Sequence, residues 1–188
     1  MRPLDTQLFA LAAPYLDTRS NDVHTAIAYD LVLRLLEQHP DADAGVVLPA
    51  VILHDVGWKT VPEKLQLTAF GPNMSNPELQ RRHETEGARI AGEILERVGY
   101  DSAKAAAVVA IIDGHDTRAA ALSLEDQLVK DADKLWRFTS NGLKIDVQRF
   151  GLRREQHIAW LAERIDPWLF TPEARQLARE LLAEAGDA

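Results

Sequence analysis

The sequence contains no cysteine, which removes disulfides, thiolate metal sites and cysteine nucleophiles together. Any metal held by side chains must then be held by nitrogen and oxygen. There is no apolar run of ~18 residues, so no membrane span is expected. The opening Met1-Arg2-Pro3-Leu4-Asp5 lacks the apolar core of a secretion signal, and the default expectation is a cytoplasmic protein. Basic charge is also scarce. With 21 Lys and Arg against 29 Asp and Glu, the net charge is −8, the opposite of a general nucleic-acid or anionic-membrane binder. A small anionic substrate in a locally basic pocket remains compatible with that balance. No strand-like alternation, internal repeat or low-complexity tract interrupts the chain.

What is present is a chain of 188 residues, 46% of them hydrophobic, enough for one substantial core. One domain over residues 1–188 is predicted, with a core at about 20–140 and a helical extension at 141–188. The apolar periodicity is helical throughout. An opening helix spans residues 3–16, and a second, which Ser20 or Asn21 can cap, runs to about Gln38. A third starts at Asp41-Ala42-Asp43 and runs through His54-Asp55 to Gly57. Trp58 to Ser75 reads as irregular, with a short turn at 63–67 and with Pro62, Gly71 and Pro72. As the longest such stretch it is either a substrate lid or an ordinary surface excursion. Asn76 caps the next helix, with Pro77 in its first turn, to Val98. Asp101 caps another that breaks near Gly114, and Ser123 with Asp126 resembles a capping box. After a break at Asn141-Gly142, two C-terminal helices are expected at about 153–164 and 172–185. Neither carries an obvious chemical residue, so both read as packing or dimerisation elements, and a homodimer is compatible with them.

Val46 to Leu53 is apolar at every position, Pro49 included, which fits a helix buried on all sides. It delivers His54 and Asp55 side by side. Buried ionisable groups need partners, and both a bound metal and a simple hydrogen-bonded His–Asp pair meet that need. His24 shares a face with Ile27, Leu31 and Leu35, and so points inward, as a ligand or as a core histidine bonded to a carbonyl. His83 lies on the apolar face of Gly87, Ile90, Ala91 and Ile94. His115 follows Gly114 between Asp113 and Asp116, which either orient its ring or are solvated. Asp133 sits beside Ala132 and Leu135.

In order the set is His24, His54-Asp55, His83, His115 and Asp133. It resembles the HD-domain superfamily of metal-dependent phosphohydrolases over roughly residues 20 to 140. The resemblance implies an all-α, HD-domain-like helical bundle. It implies His24, His54, Asp55 and Asp133 as the basic metal set, with His83 and His115 extending it to two ions. Asp133 is preferred to Asp131 because the family pattern places its ligand after an alanine and before Lys134-Leu135. Histidine and carboxylate donors suit Fe, Mn, Zn, Co or Ni, with Mg less at home among imidazoles. Asp55 is the natural bridge between two ions, with His54-Asp55 the catalytic pair around a metal-activated hydroxide. The implied activity is hydrolysis of a small phosphoester, a nucleotide being one candidate. Lys59, Arg82 and Lys134 are expected to bind its phosphate, and Arg81 and Arg118 to lie on solvated faces.

Two departures narrow the expectation. Trp58-Lys59 stand where stringent-response hydrolases carry a Glu-Asp pair and bacterial 5′-deoxynucleotidases a Glu. The Gly-Tyr-Pro signature of cyclic-dinucleotide phosphodiesterases is missing, so none of these three activities is expected. The mixed-valent diiron oxygenases resemble the chain in the same ligand order and form the main competing reading. A regulatory module on a degenerate HD scaffold is a third.

Overall fold

Apolar side chains recurring every 3.6 residues resolve into helices along the whole chain. The computed structural model describes residues 1–71 and 74–186. It contains α1 (Pro3–Leu16), α2 (Asn21–Gln38), α3 (Ala44–Leu53), α4 (Glu63–Gln66), α5 (Pro77–Arg97) and α6 (Ser102–Ile112). These are followed by α7 (Leu124–Leu135), α8 (Ser140–Phe150), α9 (Arg154–Ala162), α10 (Ile165–Trp168) and α11 (Pro172–Gly186). No strand occurs among the described residues, and the expected all-α bundle is what forms.

Helix α3 is the hub. Residues Val46 to Leu53 are all buried, and α3 packs on α1, α2, α6 and α7. Asp43 caps it, its Oδ1 accepting from Gly45 N at 2.7 Å. The helix ends at Leu53, earlier than the sequence reading placed it, and a 3₁₀ turn (Val56–Thr60) follows. Close approach is the reason. A Cβ on Gly57 would lie 1.9 Å from the His83 carbonyl oxygen, so only glycine lets this turn press onto α5. Gly87, on α5, returns the contact, its own Cβ position lying 3.3 Å from the His54 carbonyl.

Other local expectations meet mixed outcomes. Asp101 and Ser123 accept from the backbone of Lys104 and Asp126, as caps should. Asn76 does not cap α5, because its amide donates instead to Thr68 Oγ1 at 2.8 Å. Ser20 occupies the N-cap position of α2 but makes no side-chain cap bond, and its backbone is left-handed. The stretch after Trp58 is mostly exposed but is anchored by the buried residues Val61, Gln66, Ala69 and Phe70. Trp58, Val61, Ala69 and Phe70 form a small second core with Leu79 and Phe150, while Pro72 lies outside the described residues. Helix α8 is missing from the sequence reading because Asn141-Gly142 reads as a break. Gly142 sits in its first turn, where Thr139 Oγ1 accepts from Gly142 N at 3.1 Å. A Cβ there would lie 2.0 Å from the Trp136 carbonyl, so the glycine serves a close approach. The region past residue 140 therefore holds four helical elements, with α8 and the short α10 added to the two expected.

Two glycine substitutions test this packing. Gly57→Ala should lower unfolding free energy by about 1–3 kcal/mol through overpacking. Gly92→Ala, inside α5 with only Val109 Cγ2 at 3.6 Å, should raise it by about 0.5–1 kcal/mol. Denaturant midpoints that move together in both variants would contradict the close approach at Gly57.

Candidate metal centre

His54 and Asp55 emerge where α3 gives way to the 3₁₀ turn, and backbone geometry aims both. The Nδ1 of His54 lies 2.8 Å from the Val51 carbonyl. A carbonyl can only accept, so Nδ1 carries the proton and the neutral ring presents its Nε2 lone pair inward. His115 repeats this device at the end of α6, with Nδ1 2.9 Å from the Ile112 carbonyl. Asp55 is oriented by Trp58, whose indole N–H donates to Oδ1 at 3.0 Å.

Five helices converge on these groups. His24 Nε2 (α2) lies 2.9 Å from His54 Nε2, and both lie 3.3–3.4 Å from Asp133 Oδ1 on α7. On the other side His83 Nε2 (α5) lies 3.3 Å from His115 Nε2. Asp55 stands between the two groups. Its Oδ1 is 3.7 Å from His54 and from His115 and 3.9 Å from His83, while Oδ2 is 3.6 Å from His24. Asp116 adds a carboxylate oxygen 3.6 Å from His83 Nε2. Donors that share one ion at about 2.1 Å sit about 3 Å apart when adjacent in its coordination shell. The nitrogen and oxygen donors at 2.9–3.9 Å therefore fit transition-metal coordination. Among the described residues three subsets converge tightly enough for one ion: His24-His54-Asp133, His54-Asp55-His115 and His83-His115-Asp116. Asp116 is the member that the sequence offered either as an orienting group for His115 or as a solvated side chain. Asp131 faces away and binds the start of α11, accepting from Phe170 N, Thr171 N and Thr171 Oγ1 at 2.7–2.9 Å.

The electrostatics ask for a cation. Burial raises Asp55, but the imidazoles of His54, His115 and His24 with Arg19 outweigh it and hold the carboxyl well below its usual range. Asp133 is held down against burial in the same way by His24 and His54. Burial and the neighbouring His115 push His83 down to about 4. At His115 burial is outweighed by Asp55, Asp116 and Asp133, which hold the ring up at about 9. The three carboxylates thus draw in positive charge, a role a dication fills with all rings neutral at Nε2.

Two buried charged residues that the sequence did not flag hold the His115 loop. Lys130, 1% exposed, donates to the carbonyls of Gly114, His115 and Arg118 at 2.7–3.0 Å. Glu84, next to His83 and fully buried, accepts from Asp116 N, Thr117 N and Thr117 Oγ1 at 2.6–2.8 Å. His24 and His83 lack an Nδ1 partner. They are steadied by aromatic contact: His83 stacks on Trp58 at 4.0 Å, and His24 meets Trp136 edge-on at 4.8 Å.

A cavity of about 490 Å³ opens from the cluster. Four arginines line it, none of them among the expected phosphate contacts: Arg19, Arg137, Arg149 and Arg153. Arg19 is the most constrained. It and Ser20 are the described non-glycine residues with positive φ, at 51° and 61°, a strained geometry that tends to cluster at active sites. Its guanidinium lies 4.0 Å from the Trp58 ring centroid, 4.4 Å from that of Phe70 and 3.9 Å from Asp55 Oδ2. Its Nε and the neighbouring Asn21 Nδ2 are buried donors without acceptors. Burial pushes Arg19 down to about 10, with Asp55 pulling the other way, so it stays charged near neutrality. Arg137 and Arg149 share the fully buried Asp146.

The expected phosphate contacts need correction accordingly. Lys134 lines the cavity, but Lys59 and Arg82 do not. Lys59 turns outward to Asp17, donating to its carbonyl at 3.1 Å, because Trp58 takes the inward position. Arg82 is exposed, since it sits one helical step from the inward His83. Arg81 and Arg118 are paired rather than simply solvated: Arg81 bridges Glu84 and Asp113, and Arg118 reaches Asp126 and the end of α6.

The HD-domain family model matches residues 22–137, a span that holds all six sequence-predicted cluster residues. The chain belongs to the HD-domain family. A crystal structure of a predicted HD superfamily hydrolase from an uncultured Thermotogales bacterium superposes with a TM-score of 0.63 at 18% identity, covering 97% of this chain and 87% of that one. At that identity the likeness speaks for the fold. The comparison with curated proteins finds no match. The HD-matched span supplies the His/Asp cluster, whereas Arg149, Asp146 and the outer cavity wall lie beyond it.

If this HD cluster holds two ions, protein purified without oxygen should carry about two divalent ions per chain. His83→Ala or His115→Ala should bring that to about one. Wild type saturating at one ion, with both variants retaining it, would make these histidines structural.

Proposed function

We propose that this HD-domain protein is a metal-dependent phosphohydrolase acting on a small phosphomonoester. The observation that carries the reading is the buried guanidinium of Arg19 beside Asp55, with its Nε lacking an acceptor and Arg137 and Arg149 lining the same cavity. Desolvated guanidinium groups bind a phosphate dianion through charge-assisted bonds, often in pairs.

His24, His54, Asp55, His83, His115 and Asp133 are the residues that would hold one or two ions of Fe, Mn, Zn, Co or Ni. When bound, such ions supply Lewis acidity and an activated water near neutral pH. Asp55 is assigned the shared position because, among the described residues, it is the carboxylate that approaches His24 and His54 on one side and His83 and His115 on the other. Trp58 and Phe70 flank the Arg19 guanidinium, which keeps water off it and strengthens its field. Arg19, with Arg137 and Arg149, then holds the phosphoryl oxygens while charge builds on them. The oxygen of one water joins phosphorus as the bond to the leaving oxygen breaks, giving phosphate and an alcohol. Lys130 and Glu84 act by fixing the loop of His115 and Asp116.

Phosphate release should proceed without oxygen in the Mn form. Arg19→Met should lower kcat/KM by about 10–100-fold, the loss of a charged hydrogen bond worth about 1.5–3 kcal/mol, and Asp55→Ala should abolish turnover in a folded protein. Activity that requires both iron and O₂, with none in the Mn form, would replace hydrolysis by oxygenation on the same residues.

A further inference from the structure

The cavity is larger than a phosphate group needs, and its two ends differ in chemistry. The inner end carries the His/Asp cluster and the arginines. The outer end is aromatic: Phe150, Trp160 and Trp168 line it together with Leu152, and Trp136 lines the cavity beside His24. All but Trp136 come from residues past the HD-matched span. We infer that this outer chamber is a binding site for the leaving group, and that it takes a planar aromatic ring, so that the substrate class is a phosphomonoester whose alcohol carries such a ring. The inference rests on the phosphohydrolase reading for the inner end alone.

Four observations carry it. The first is size: about 490 Å³ lies within the range of small-ligand sites, roughly 300–1,000 Å³. The second is the state of Trp160, which is 37% exposed on a cavity wall although an indole gains much from burial. Trp160 is also held in place: Trp168 meets it edge-on at 5.2 Å, His157 stacks at 5.5 Å, and the Arg164 guanidinium lies 3.6 Å from its ring centroid. A ring fixed in this way is prepared for contact at low entropic cost.

The third observation is charge. Aromatic walls bind quaternary ammonium groups as well as flat rings, so sign decides between the two. The carboxylates lining the cavity are Asp55, Asp116 and Asp133 at the cluster, and Asp146, which is fully buried and already paired with Arg137 and Arg149, with His157 3.7 Å away. The outer wall adds Arg153, and Arg164 already sits on the Trp160 ring. A cationic leaving group would meet repulsion there, and a neutral ring would not. The fourth is polar complement. Gln156, exposed on the same wall, offers its amide N–H groups to the edge of a ring, its Oε1 already accepting from Arg153 Nε at 2.9 Å.

Binding and turnover separate this inference from the one beneath it. Calorimetry on Mn-loaded protein should give benzylphosphonate at least about tenfold higher affinity than methylphosphonate, with Trp160→Ala or Phe150→Leu reducing that ratio to below about threefold. Leu33→Ala, equally exposed at 37% on α2 and far from the wall in sequence, controls for general destabilisation and should keep the ratio. Equal affinity for the two phosphonates in wild type, or a ratio unchanged in both wall variants, overturns the inference. In turnover, 1-naphthyl phosphate and AMP should both exceed glycerol 2-phosphate and phosphocholine in kcat/KM, and whichever of the first two is preferred identifies an aryl or a nucleobase ring. Phosphocholine as the best substrate overturns the inference while leaving phosphohydrolysis intact. Ring-dependent phosphonate binding without turnover of any phosphoester keeps the chamber and removes the phosphohydrolase reading.

Discussion

A single buried carboxylate sets the terms for the rest of the molecule. Asp55 is 6% exposed and within 3.9 Å of four imidazole nitrogens and the Arg19 guanidinium. A carboxylate removed from water costs several kcal/mol unless charge and hydrogen bonds replace its hydration. Four core helices supply the imidazoles that make that replacement, and a fifth supplies Asp133, the second carboxylate that His24 and His54 face. Helix α3 delivers Asp55 and His54, α2 brings His24, α5 His83, the end of α6 His115, and α7 Asp133. The packing details follow from the same demand. Gly57 and Gly87 let the turn bearing Asp55 lie against the backbone of α5, and Lys130 and Glu84 lock the loop that carries His115 and Asp116. Lys130 and Glu84 are themselves buried charges, which is costly and hard to explain except by the precision it gives the loop.

Much of this was legible in the sequence, and the reason is periodicity. Inward positions on a helix recur every 3.6 residues, so His24 and His83 could be assigned to apolar faces, and the all-apolar stretch before His54 identified the hub. What stayed hidden depends on tertiary approach. Arg19 lies in a turn whose two left-handed residues are not glycine, and nothing in Asp17-Thr18-Arg19-Ser20-Asn21 distinguishes a buried guanidinium from a solvated one. Lys59 and Arg82 were chosen for nearness to ligands along the chain, yet adjacent helical positions point about 100° apart. Asn141-Gly142 read as a break because a glycine required by a neighbouring carbonyl looks the same in sequence as one required by a turn.

The lining of the cavity divides along the chain. Residues within the HD-matched span provide the His/Asp cluster, while α8 to α10 provide Arg149, Asp146 and the aromatic outer wall. Asp146 ties the two parts together, pairing with Arg137 from the matched span and Arg149 from the extension. The outer helices reach the cluster end in two further places: Arg149 donates to the Arg19 carbonyl at 2.7 Å, and Phe150 meets the ring of Phe70 edge-on at 5.8 Å.

The central proposal is that the cluster around Asp55 would hold divalent metal, with Asp55 shared if two ions bind. Anomalous scattering from crystals loaded with Mn tests it directly. The account predicts two peaks about 3.5–4 Å apart, one among His24, His54 and Asp133 and one at His83 and His115, with the Asp55 carboxylate between them. No peak at the cluster at full loading, or peaks that leave Asp55 uncoordinated, would contradict it.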